Sequence, residues 1–95
     1  MYLVTQSKHG RVNQLGYSPR TKEYVYFHRG VEIWREKGDD SLLTYFNAVR
    51  AGVDFSDVDI MEMPTYDIWN KYCDSCQEFE KKEWQEPTRK IVGII

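Results

Sequence analysis

The sequence predicts an α+β fold, a small antiparallel sheet packed by two helices, in a single compact domain over residues 1–95. Two observations carry that expectation. Short β-rich runs separated by turn residues fill the first third of the chain. Apolar residues at steps of three and four follow in two later segments.

The elements come in order. Tyr2 to Gln6 is a β-rich run ended by Ser7-Lys8-His9-Gly10, and Arg11 to Tyr17 is a weaker strand candidate. Ser18-Pro19-Arg20-Thr21-Lys22 supplies turn chemistry, with proline setting φ early in the turn. The clearest signal is a hairpin at about 23–36, in which Glu23 to His28 and Val31 to Glu36 flank the two-residue loop Arg29-Gly30. Regular pairing sets His28 opposite Val31, Tyr26 opposite Ile33 and Tyr24 opposite Arg35. One face then shows Tyr24, Tyr26, His28, Val31, Ile33 and Arg35. The other shows Glu23, Val25, Phe27, Glu32, Trp34 and Glu36, so large rings stand on both.

Lys37-Gly38 ends the sheet run. Asp39, Asp40 or Ser41 can cap a first helix at about 40–51, whose apolar residues are Leu42, Leu43, Phe46 and Val49, with Gly52 at the stop. Val58 to Met63 reads as a strand halted by Pro64. Thr65 offers an N-cap for a second helix at about 65–85 with the stripe Trp69, Tyr72, Cys73, Cys76 and Phe79. Pro87 breaks that pattern, and Lys90 to Ile95 reads as a candidate C-terminal strand.

Composition narrows the function classes. Hydrophobic residues are 41% and charged residues 29%, too apolar for a disordered chain. The longest apolar run, Ile91 to Ile95, is too short for a membrane span. No charged-then-apolar leader opens the chain, so the expected location is cytoplasmic. Two cysteines cannot build a disulfide framework. The net charge of −2 hides a dipolar chain: residues 1–38 carry seven basic and three acidic side chains, residues 39–86 four basic and twelve acidic. Aromatics are 15%, with seven Tyr, four Phe and three Trp, which a small core should struggle to hold.

Three clusters have chemistry to offer. Cys73-Asp-Ser-Cys76 has metal and redox spacing, but lies mid-helix on the apolar stripe, where buried thiols are the simpler account. Zinc would need both His9 and His28, or a second chain, to complete its four ligands. Asp54, Asp57, Asp59 and Glu62 lack the order of a calcium loop and read as a charged surface. The basic-aromatic segment from Lys8 to Lys37 has cations and rings of the kind that hold single-stranded nucleic acid, without an RNA-recognition consensus. No nucleophile elbow, zinc-protease helix, phosphate loop or dinucleotide fingerprint is present. Acid–base cleavage of RNA by His9 and His28 would require the two to meet, which nothing in their spacing dictates.

The expectation is therefore a non-enzymatic protein-interaction module without a cofactor. It would act as an inhibitor or adaptor, of the general kind that phages and other mobile elements encode, docking on a larger, nucleic-acid-handling protein. Tyr24, Tyr26, Trp34 and Arg35 would anchor the contact, and Asp54, Asp57, Asp59 and Glu62 would steer it toward a basic partner. The alternatives are a single-stranded nucleic-acid binder using the hairpin and a zinc-bridged dimer through Cys73 and Cys76. No membrane partner is expected.

Overall fold

A computed structural model describes residues 1–7, 10–54 and 57–94, with side chains placed at 1–7, 12–54 and 57–81. Four strands form one antiparallel meander in the order β1 (Tyr2–Ser7), β2 (Gly10–Ser18), β3 (Glu23–His28), β4 (Val31–Lys37). Helix α1 (Ser41–Arg50), a 3₁₀ turn (Ile60–Glu62) and helix α2 (Tyr66–Ile94) follow. This is the expected α+β architecture.

The β3–β4 loop forms because Arg29 and Gly30 both take positive φ, 50° and 79°, as the hairpin turn matching strand twist requires. The register beyond it is not the regular one. His28 pairs with Val31 and Phe27 with Glu32, but Tyr26 pairs with Trp34, leaving Ile33 as an extra residue. A one-residue bulge exchanges the faces of everything beyond it. Trp34 therefore joins Tyr26, and Arg35 joins Val25 on the opposite side.

Cross-strand rows define the two faces. Leu15–Tyr26–Trp34, Tyr17–Tyr24–Glu36 and Asn13–His28–Val31 stand on the helix side. Leu3–Gly16–Val25–Arg35, Gln14–Phe27–Glu32 and Ser18–Glu23–Lys37 stand on the other. The core forms where Val4, Leu15, Tyr17, Tyr24 and Tyr26 meet Leu42 of α1 and Ile68 and Tyr72 of α2. Trp69, Cys73, Cys76 and Phe79 of the expected stripe pack around it.

Both helices start beside Gly38, at the end of β4. The Ser41 and Thr65 hydroxyls bond at 2.6 Å, tying the two N-termini together. A Cβ on Gly38 would come within 2.8 Å of Ile68 and 3.2 Å of Tyr24, so glycine lets these elements close. Helix α1 ends in a Schellman motif: Gly52 has φ 84° and bonds Val49 O, while Val53 N bonds Ala48 O.

Two expected strands are absent. Within Val58 to Met63, the Asp59 carboxylate accepts from Met61 N and winds Ile60–Glu62 into a 3₁₀ turn. The segment expected to form the C-terminal strand instead continues α2 through Pro87 to Ile94, while Ile95 lies outside the described residues. Elongating an existing helix adds backbone bonds without a partner, whereas a strand needs an edge to pair with. Proline forfeits one donor, and the rest of the ladder carries on past it. At 1.5 Å per residue α2 is about 44 Å long. The molecule is therefore elongated, 51 × 30 × 21 Å, with a radius of gyration of 15.7 Å. A compact chain of this length would have about 12 Å.

Candidate functional site

The four expected hairpin anchors do not form one surface. Tyr24 and Tyr26 are fully buried. Tyr24 OH accepts from Leu42 N at 3.1 Å, fixing the first turn of α1 against β3. Tyr26 OH donates to Asn13 Oδ1 at 2.7 Å. Trp34 is half-buried, with its indole N–H donating to Ser75 Oγ at 2.9 Å and Lys71 Nζ 4.8 Å from its ring centroid. Arg35 stands on the opposite face, bonded to Glu32 at 2.7 Å and Glu23 at 3.2 Å. The Thr21 hydroxyl, and after it Arg35, holds the Glu23 carboxyl below its usual range. Tyr24 and Tyr26 are thus withdrawn as contact residues, because α1 and α2 already cover them.

Among the described residues most of the expected aromatic surplus is covered for the same reason, with Tyr2 left 59% exposed. Rings pack on rings: Tyr17 on Tyr24 at 4.6 Å, Tyr26 edge-on to Tyr72 at 5.6 Å, Phe46 on Trp69 at 5.2 Å and His28 stacked on Phe79 at 4.0 Å. Their polar tips find partners. Asn13, itself buried, accepts from Tyr26 through Oδ1 and from Tyr72 through its backbone carbonyl, the latter at 3.3 Å. The same Oδ1 lies 2.8 Å from His28 Nδ1. A carbonyl oxygen only accepts, so His28 Nδ1 carries the proton. His28 is thereby part of the packing between β2, β3 and α2. His9 lies outside the described residues.

Cys73 and Cys76 are half-buried against the core. Burial pushes both thiols up, and Cys76 lies within hydrogen-bonding reach of Tyr72 and Tyr26. That setting disfavours the thiolate that zinc or redox chemistry needs. No group of three or more metal-ligating side chains occurs among the described residues. No helix among the described residues is long and apolar enough to cross a membrane.

Among the described residues, the stretch that follows α1 exposes aliphatic and acidic side chains. Asp54, Asp57, Asp59 and Glu62 are all exposed, on the segment joining α1 to the 3₁₀ turn and on the turn itself. Val53, Val58 and Met61 are exposed on the same stretch, Met61 at 62%, and Val49 is exposed in the last turn of α1 that precedes it. Met63, just after the turn, packs against the core. Val49 fits the apolar spacing of α1, yet it is left 44% exposed. Val53 and Val58 had no periodic signal.

A second apolar area lies on the uncovered side of the sheet. Met1, Tyr2, Leu3, Gln14, Gly16 and Phe27 line a groove of about 200 Å³ there. The Met1 thioether crosses Gly16, where a Cβ would come within 2.8 Å of its sulfur. Compared with known protein families, curated proteins and solved structures, the chain matches none.

Proposed function

We propose that the protein is a non-enzymatic interaction module, an inhibitor or adaptor that docks on a larger protein through the segment between α1 and the 3₁₀ turn. The supporting observation is the exposure, within residues 49–62, of Val49, Val53, Val58 and Met61 alongside Asp54, Asp57, Asp59 and Glu62. Aliphatic surface supplies area to exclude water, and carboxylates around it steer a basic partner and reject an acidic one. A nucleic-acid-handling protein offers such a basic surface. The proposed site of action is the cytoplasm.

The test compares wild type with Asp57→Lys/Met61→Ala/Glu62→Lys, none of whose side chains lies in the core, and with Arg35→Ala as a control. All three would be used as bait in a host extract. A partner held by wild type and control, lost by the triple variant and weakened by salt supports the reading. Equal retention by the triple variant removes this segment as the docking site. Binding of a labelled single-stranded oligonucleotide, with affinity falling steeply as salt rises, would favour the nucleic-acid alternative instead.

A further inference from the structure

We propose that Arg50 is a latch on the outer edge of β1, and that releasing it makes β1 a pairing strand for a second copy of this chain. β1 is a terminal strand of the sheet, and a terminal strand presents backbone groups that another chain can pair with. Arg50 occupies two of the strand's carbonyl oxygens. Its Nη1 donates to Val4 O at 2.8 Å and its Nη2 to Leu3 O at 3.0 Å, while Asn47 Oδ1 accepts a further bond from Nη2 and orients the guanidinium.

Consecutive carbonyls of a regular strand point to opposite sides. Here the β1–β2 register shifts between Leu3 and Thr5. The resulting bulge at Val4 turns both oxygens toward α1. The planar guanidinium offers two nitrogens in a fixed fork, one for each oxygen, whereas a lysine ammonium would have to reach both from a single atom on a flexible stem. Helix α1 therefore grips the backbone of β1 and occupies the acceptors that a new strand would need.

The guard matters because the strand behind it invites pairing. Met1 to Gln6 carries no charged side chain, and Met1, Tyr2 and Leu3 are 63%, 59% and 43% exposed. A β-prone, uncharged segment at an edge is the usual template for self-association. The other edge is protected differently. β4 has its bulge at Ile33 and carries Glu32, Arg35, Glu36 and Lys37. Antiparallel pairing of β4 with itself about Trp34 would set Glu32 against Glu36. Pairing of β1 with β1 meets no such charge conflict, which selects a second copy as the occupant.

The test is sedimentation of the full chain across a concentration series, with circular dichroism to follow folding. Wild type is expected to be monomeric. Arg50→Ala is expected to dimerise at least about tenfold more tightly, and Arg50→Lys to fall between the two. Adding Leu3→Lys to Arg50→Ala places a charge on the edge strand without touching the core, and should restore the monomer. The proposal is overturned if folded Arg50→Ala remains monomeric over the same range. It is also overturned if the double variant associates as strongly as Arg50→Ala, which would mark association through unfolding rather than through the edge.

Discussion

The two faces of this sheet come from alternating residues of the same strands, yet they follow different rules. On the helix side Tyr17, Tyr24 and Tyr26 are buried, and their hydroxyls bond Gly38 O, Leu42 N and Asn13 Oδ1. On the other side Gly16, Val25 and Phe27 are flanked by Leu3, Glu23, Glu32, Arg35 and Lys37. The ring chemistry of Tyr26 and Phe27 is similar, and they are chain neighbours. What separates them is whether a helix lies above. An aromatic residue in a strand is thus structure or surface according to its face, and composition cannot tell the two apart.

Substitutions on each side should break the comparison unequally. Tyr26→Ala should have the largest effect, about 3–5 kcal/mol of lost stability, because it opens a cavity among Tyr72, Trp34 and Phe79. Denaturant titration reads this directly, and a loss under about 1 kcal/mol would mean the ring is not sealed beneath α2. Gly38→Ala should cost about 1–3 kcal/mol, since its methyl meets Ile68, Thr65 and Tyr24 where both helices begin. Tyr26→Phe keeps the ring and removes one of the donors to Asn13 Oδ1, for about 1–2 kcal/mol in the same titration. On the uncovered side Phe27→Ala should cost about 1 kcal/mol, the ring being only half-buried.

Alkali sharpens the contrast from the covered side alone. Burial pushes the Tyr24 hydroxyl up to about 12 and raises Tyr17 and Tyr72 as well. The unfolded chain gives up these phenol protons first. The stability that the buried tyrosines contribute is therefore complete below the ordinary phenol value near 10 and falls as pH climbs from there through about 12. Thermal melts across that window, with tyrosinate absorbance alongside, should show ionisation coinciding with unfolding. Arg35→Ala is the smallest change expected, within the scatter of the same titration, because Arg35 and Glu32 are exposed and water screens the pairing.

Much of the candidate surface was legible before the fold. The acidic residues from Asp54 to Glu62 stand exposed as their charge suggested, and Met61 stands with them. Two of the hairpin anchors, Trp34 and Arg35, took unexpected faces for one local reason. Alternation assigns faces correctly only while the register holds, and the bulge at Ile33 sends Trp34 and Arg35 to the sides opposite those assigned to them. Arg50 gave no warning, since an arginine in the last turn of a helix is ordinary and its targets are backbone carbonyls far back in the chain.

By itself the sequence determined what depends on near neighbours along the chain: strand periodicity in the first third, the Arg29-Gly30 turn, the stop at Gly52 and the apolar stripe of α2. Tertiary structure decided what depends on contacts between elements distant in sequence. It placed the tyrosines under the helices and brought Arg50 onto the edge of β1. The physical reason is range. Backbone propensity and capping act over a few residues, whereas burial and edge protection depend on which surfaces meet when the chain closes.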